Sequence, residues 1–442
     1  MDFLKDNVHS IYRSYLVPTL GAALAMSIYS FVDTIAVGQY AGAVGTAAIA
    51  VINPLYTLMY VLASLFALGG SVHMGNALGR GKKEEGLQYF TIATIGCALV
   101  TVASWLLCLW KLKDILVALG ANEEIFSTAY AYGRIVIGFL PIIVGPDFFA
   151  AFLRLDRDPK RAFRAVLTGG VINIFLDWFL VFPMNMGVAG AATATVIGTA
   201  VQDVIMLSHF VSKKNTLRFV NVSHPFRYFH SVFRTGISSL LIDLGTIGMN
   251  IVMNQTMLIY GGTEALGVYG VLNTIALLAQ AVFAGVGQTV QLGASVNHGA
   301  GKMERVRSFF HLGLRTAMVI GICIFAFGEI LPRQILYLFM GSDANASLGP
   351  YIMRRYMPMF VMLGFNILAA YLLQGILQQR ACAASALLRS LIMPLVTLFV
   401  LSRCFGAEGV YCTLGLSEWL SALLIYIYLR RETRLFEDGR FF

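Results

Sequence analysis

Apolar runs of about 20 residues recur along the whole chain, and a run of that length is what an α-helix needs to cross the hydrocarbon layer of a bilayer. Twelve of them, separated by polar breaks, fall at 15–38, 46–70, 88–110, 127–151, 164–182, 188–210, 236–259, 267–291, 311–331, 355–378, 384–402 and 409–429. Inside lipid only helices and closed barrels satisfy every backbone N–H and C=O. A barrel would show alternating segments of about ten residues instead of continuous runs, so the expected fold is all-α integral membrane with twelve transmembrane helices. Composition agrees, with 12% charged residues and a mean hydropathy of +0.74, against about 25% charged in soluble domains. The residues up to Arg13 are polar and the first run has no small-residue cleavage site, so it reads as a retained helix and not a signal peptide.

The net charge of +9 would suit either nucleic acid or anionic lipid, and the span map decides between them. With the N-terminus inside, 25 of the 32 Lys and Arg fall in expected cytoplasmic segments, including Arg80, Lys82, Lys83, the groups at 154–164 and 213–234, Arg380 and Arg389. Lys111, Lys113, Arg134, Arg333, Arg354, Arg355 and Arg403 fall on the other side. This positive-inside bias predicts a multi-pass protein of the cytoplasmic (inner) membrane with both termini cytoplasmic, surrounded by lipid and binding no nucleic acid. The six cysteines lack C-x-x-C spacing and neighbouring histidines, so they read as small core residues with no metal or cofactor role.

The two halves resemble each other. A shift of 220 residues aligns Gly42, Val51, Asn53, Gly79, Gly81, Lys82 and Glu84 with Gly262, Val271, Asn273, Gly299, Gly301, Lys302 and Glu304. A second anchor, at a shift of 219, aligns Arg161, Ala162, Ala165, Gly187 and Gly190 with Arg380, Ala381, Ala384, Gly406 and Gly409. The expected organisation is an N-terminal six-helix lobe at 1–212, a basic cytoplasmic linker at 213–235 and a C-terminal six-helix lobe at 236–442. Six spans per half is an even number, so both halves enter from one side and are related by an axis along the membrane normal. A pair of such lobes can expose a cleft to each side in turn, the basis of alternating access.

Charges placed deep in apolar spans are costly and mark function. Asp33 lies in span 1; in span 5 Asn173 and Asp177 are spaced i, i+4 and share one helix face, which is expected to look into the first bundle and not at lipid. Two carboxyls brought together there would be poised to take up and release a proton. Asp243 stands among apolar residues in span 7, with Ala23 at the shifted position, and is expected to contact cargo or a second ion. Gln280 and Tyr29 join it as expected cargo contacts. Pro18 removes a backbone hydrogen bond inside span 1 and is a candidate hinge for the Asp33 segment. Asp147, Asp203, Glu329 and Glu418 lie nearer span ends and read as interfacial or structural. The stretch 75–83 looks like a phosphate loop but has Asn76 for the first glycine and Lys83 for the final Ser/Thr. Without a nucleotide site, pumping would run on an ion gradient, and no dyad or metal cluster suggests an enzyme.

Several stretches, in order, resemble the multidrug and toxic compound extrusion (MATE) family: residues 32–38, 77–81, Phe152 to Arg154 with Asp158, Pro159 and Lys160, 173–177, 187–192 with Thr195, and Leu388, Arg389 through 405–410. The resemblance implies twelve helices in two lobes and exchange of H⁺ or Na⁺ for small-molecule drugs or toxic organic cations, with no other cofactor, from a monomer. The family's first-lobe ion site carries over to Asp33, Asn173, Asp177 and Thr195, which would also be the place of a bound Na⁺. Arg157 departs from the pattern, since the family often has glycine there. Span 10 also lacks the acid found in the norfloxacin-exporter branch, which makes the chain more similar to the DinF-like branch. The alternative within the superfamily is a lipid-linked oligosaccharide flippase. Such proteins usually carry more cationic residues in the cavity, and spans 1, 2, 7 and 8 have no Lys or Arg in their cores.

Overall fold

The computed structural model describes residues 2–119, 121, 123–340 and 348–432; within these, a few helical side chains, that of Asp243 among them, stand outside the description. Every element of the described backbone is a helix. In chain order the helices are α1 Val8–Gly79, α2 Lys83–Ala118, α3 Glu123–Gly138, α4 Leu140–Ile143, α5 Gly145–Leu155, α6 Pro159–Val181 and α7 Gly187–Leu207. They continue with α8 Pro225–Gly299, α9 Met303–Ile330, α10 Pro332–Met340, α11 Leu348–Tyr356, α12 Met359–Gly375 and α13 Gln379–Leu387. A π-helical turn at Leu388–Ile392 leads into α14 Met393–Phe405, and α15 Ala407–Glu432 closes the series.

Among the described residues nine helices are long and apolar enough to cross a bilayer. The bent pair Ile125–Gly138 and Leu140–Leu155 is long and apolar enough for a tenth when taken as one span; its halves meet at 67° where Pro141 lacks the N–H that would continue the ladder. The expected spans 15–38 and 236–259 lie in helical backbone, in the N-terminal parts of α1 and α8. The expected polar break between the first two spans is itself helical, because α1 runs on through it, whereas α8 is kinked at Gly262. There φ is +66° and ψ −163°, a conformation open to glycine alone. Large apolar side chains face outward along these helices, as at Leu99, Leu106, Leu107 and Trp110 of α2, which suits lipid as the surrounding solvent.

The chain divides into two compact units, one of Ser14–Gly236 and one of Ile237–Phe442 joined by the N-terminal segment Asp2–Arg13. In the second unit Arg305 donates to the Phe3 and Asp6 carbonyls (2.8 and 2.7 Å), and Tyr12 bonds Thr316 at 2.9 Å. The repeat is written in the backbone as well. Gly81 and Gly301 have φ of +76° and +71°, Gly187 and Gly406 +55° and +58°, and Arg157 and Leu377 +63° and +60°. These pairs are separated by 220, 219 and 220 residues, the shifts read from the sequence. They also explain the glycine common in the family at Arg157, since a left-handed residue with a side chain costs about 1 kcal/mol. Arg157→Gly should therefore raise stability by about that amount, read as a higher unfolding temperature; a lower one would mean that the Arg157 side chain holds the loop.

The polar ends of the first unit are tied by a buried cluster. His209, fully buried after α7, lies between Asp156 (2.7 Å) and Asp158 (3.3 Å) of the α5–α6 loop. Asp156 also accepts from the Thr216 amide at 2.8 Å and from its hydroxyl, which pins the segment leading to α8. Burial pushes the Asp158 carboxyl up, but the Arg161 hydrogen bond with Lys214 and His209 outweighs it and leaves the carboxyl below its ordinary range. A lowered carboxyl stabilises above its unfolded pKa of about 3.9 and loses that contribution as pH falls through the folded value, so this tether persists in mild acid. His209→Ala should cost about 2 kcal/mol by removing charge-assisted bonds to both carboxyls, and should speed proteolysis at 213–224. Unchanged cleavage would mean that Asp156 and Thr216 suffice.

Two side chains stand elsewhere than expected. Arg389, read as cytoplasmic, is ten residues inside the rod that starts at Gln379, and Glu418, read as near a span end, is eleven residues past Ala407. The two are paired at 3.0 Å. Counting basic residues by loop cannot find an arginine whose partner sits on the adjacent span.

Candidate functional site

The site begins with a close helix crossing in the first lobe. A Cβ on Gly169 of α6 would lie 2.4 Å from the Gly198 carbonyl of α7, and a Cβ on Gly198 would lie 2.8 Å from both the Gly169 carbonyl and the Asn173 Cβ. Two glycines therefore let the backbones touch, the usual way to pack helices in lipid, where no hydrophobic force draws them together. One turn beyond Gly169 comes Asn173, and one more turn brings Asp177, the face that the i, i+4 spacing predicts.

Asn173 is 2% and Asp177 0% exposed. The Asp177 carboxyl meets that of Asp33 on α1. Two carboxyls hydrogen-bond only when one carries a proton; as two carboxylates they have acceptors and no donor. In that state Asp33 Oδ1, both oxygens of Asp177, and Oδ1 and Nδ2 of Asn173 are buried with no hydrogen-bond partner. Five buried polar atoms converging without partners need an explanation, because such groups are otherwise satisfied. A proton between the carboxyls fits, and so does a small cation, since four of the five atoms are oxygens and three of them belong to the two carboxyls.

The structure brings Asp33, Asn173 and Asp177 together. Thr195, three residues before Gly198 on α7, donates its hydroxyl to the Ala191 carbonyl of its own helix at 3.1 Å and not to the carboxyl pair. Tyr29, one turn before Asp33, packs its ring on Gly170 and hydrogen-bonds the buried Gln202 of α7. Gln280 is half-buried on α8 of the second unit. The Asp243 side chain lies outside the described residues. Pro18 sits inside α1, which continues helically through it.

Sequence reasoning missed several neighbours. Tyr132 of α3 lies within electrostatic range of Asp33, Asp177 and Tyr56. Asp147 of α5, read as interfacial, accepts from the Tyr60 hydroxyl at 3.2 Å and has Asp203 of α7 beside it. The only signal for these in the chain is a polar atom within an apolar span, and tyrosines are too common in such spans to be singled out.

Comparison with known proteins places this geometry. The MatE family profile matches residues 18–179 and 239–399. The chain is similar to the multidrug export protein MepA of Staphylococcus saprophyticus, 22% identical over 434 residues, covering 97% of this chain and 96% of that one. It is also similar to the probable multidrug resistance protein YoeA of Bacillus subtilis, 26% identical over 358 residues, covering 76% and 75%. Among solved structures, an outward-facing multidrug resistance MATE family transporter of the MOP superfamily has a TM-score of 0.89 at 20% identity, covering 97% of this chain and 96% of that one. A MOP superfamily transporter from Pyrococcus furiosus has a TM-score of 0.88 at 19% identity, with the same coverage. Those two likenesses concern the fold. The profile matches both repeats and most of the sequence, and by that measure this multi-pass membrane protein belongs to the MatE family of multidrug and toxic compound extrusion transporters.

Proposed function

We propose that the chain is a secondary active exporter of small-molecule drugs and toxic organic cations in the cytoplasmic membrane, driven by protons that bind the Asp33–Asp177 pair. The observation that carries this reading is the contact of the Asp33 and Asp177 carboxyls, with Asp33 Oδ1 and both Asp177 oxygens buried without a hydrogen-bond partner. Protonation turns mutual repulsion into a hydrogen bond, so the α1–α6 contact differs between loaded and unloaded states. A bound ion shifts a conformational equilibrium only by such a differential. The oxygens of Asp33, Asp177 and Asn173 also suit Na⁺, which keeps sodium as the second reading. Tyr29, Gln280 and Asp243 are proposed as cargo contacts and Pro18 as a hinge. Both termini are proposed to be cytoplasmic and the functional unit a monomer, with coupling confined to the first lobe as in the DinF-like branch.

The test uses proteoliposomes holding a cationic dye, with a proton or a sodium gradient imposed separately. Export driven by the proton gradient alone is the expected result; export driven only by sodium selects the second reading, and export indifferent to both ends the proposal.

Energetics adds a prediction about voltage. A one-unit pH difference is worth about 1.4 kcal/mol and a 100 mV potential about 2.3 kcal/mol per charge moved. With one compact acidic pair, one proton entering per monovalent cation leaving moves no net charge. Only the pH term then acts, and it sustains about a tenfold cargo gradient. Export of such a dye from liposomes clamped with potassium and valinomycin should therefore not respond to voltage, and a strong response would exclude one-for-one exchange.

A further inference from the structure

The second lobe holds a buried ion pair that the coupling reading does not use. Arg389 Nε lies 3.0 Å from Oε1 and 3.2 Å from Oε2 of Glu418, with the two side chains 11% and 8% exposed. Asn366 of α12 donates to Glu418 Oε2 at 2.6 Å and to its backbone carbonyl at 2.9 Å. By helix rise Arg389 stands about 15 Å from Gln379 and Glu418 about 16 Å from Ala407, so neither is at a helix end. Arg389 is carried on the π-helical turn Leu388–Ile392, where an i→i+5 register re-aims a side chain. Gly245 of α8 packs against the neighbouring Ser390, so close that a Cβ there would clash with its hydroxyl.

The repeat gives this pair its meaning. In the first lobe α6 and α7 meet through Gly169 and Gly198, and at the shift of 219 that aligns this part of the repeat Arg389 and Glu418 fall at Gly170 and Thr199, the residues next to them. Beside a crossing that is bare backbone in one lobe, the other thus places a guanidinium paired with a carboxylate. The positions that repeat Asp33 and Thr195 are Met253 and Leu414, and residues 379–405 contain no acid. Oxygens for a mobile cation are gathered in the first lobe, whereas a fixed cation occupies the second. Among the described residues, Asn366 hydrogen-bonds Glu418 and Arg389 is the cation paired with it.

We propose that Arg389 is a tethered counter-ion that holds Glu418 as a carboxylate through the transport cycle, making the second lobe silent toward the ion gradient and leaving exchange to Asp33 and Asp177. Arg389 acts through Glu418 and is a positioning residue. The inference rests on the coupling reading above, but its first measurement does not depend on transport.

That measurement is infrared spectroscopy of the full chain in lipid at neutral pH, reading the carbonyl stretch of protonated carboxyls. Glu418→Gln should leave the wild-type band unchanged. Arg389→Met should add the band of one carboxyl, and combining it with Glu418→Gln should remove that band. Arg389→Lys, which keeps the charge, should add none. A band lost on Glu418→Gln alone overturns the proposal, as does an Arg389→Met spectrum with no new band. If Arg389→Met does not assemble, Glu418→Gln in the otherwise unaltered chain decides: an unchanged band supports the proposal and a lost one refutes it. Dye export separates this inference from the coupling reading. The Arg389→Met, Glu418→Gln double variant should keep its response to a pH gradient within about threefold, the weight of an average polar contact between membrane helices. Loss of that response in the double variant refutes a silent second lobe, whereas a wild-type protein indifferent to any gradient refutes the coupling reading and leaves the infrared result standing.

Discussion

Asp177→Asn should abolish gradient-driven export while the protein still folds, and Asp33→Asn should do the same. Asparagine has nearly the shape of aspartate and brings a donor, so a carboxyl–amide bond replaces the carboxyl–carboxyl contact and the buried site is no less satisfied than before. What the variant lacks is a second titratable group that makes the contact depend on proton occupancy. The loss should be at least about 100-fold in gradient-driven rate, because without a difference between occupancy states a ligand shifts nothing, however tightly it binds. Dye binding to purified protein should survive, which separates uncoupling from misfolding. Export at the wild-type rate by either variant would remove the pair from the mechanism.

Gly198→Leu should have the second largest effect, acting through the fold. A Cβ at this position would lie 2.8 Å from the Gly169 carbonyl and from the Asn173 Cβ, both of them backbone or backbone-anchored and unable to rotate away. The α6–α7 crossing must therefore open. Overpacking of this kind costs about 3 kcal/mol at the upper end of its range, and it carries Asn173 away from the carboxyls. We expect poor yield, a lowered unfolding temperature and lost export. Gly138→Ala is the matched control, since a Cβ there meets nothing within 4 Å. If Gly198→Leu is as stable and active as that control, the two helices do not depend on close approach.

The site was legible in part, and the reason differs residue by residue. Asn173 and Asp177 were found because a helix returns to one face every 3.6 residues, so their spacing alone places both groups together. Their meeting with Asp33 joins α1 to α6 across well over a hundred residues, and no local pattern encodes that contact; the sequence offered it as a pairing of two costly charges in apolar spans, and the resemblance implied the same set. Tyr132, Gln202 and the Asp147–Asp203 neighbours stayed hidden for the same reason. Thr195 was placed on the correct helix, but its hydroxyl was free to bond its own backbone at Ala191, the common habit of threonine in membrane helices.

By itself the sequence determined the membrane class, the all-helical fold and the repeat. These follow from the transfer cost of each side chain and from the demand that every backbone group in lipid be satisfied within its own segment, both properties that sum along the chain. The repeat even reached the backbone, at Gly81 and Gly301 and at Gly187 and Gly406, because positive φ is a local property of one residue. Only the tertiary structure decided which polar groups meet: Asp33 with Asp177, His209 with Asp156, and Arg389 with Glu418. An ion pair between two helices is neutral and buried, yet in the sequence it is two separate charges that look like one loop residue and one span end. Its energy belongs to the contact and not to either residue, and so it exists only once the helices have packed.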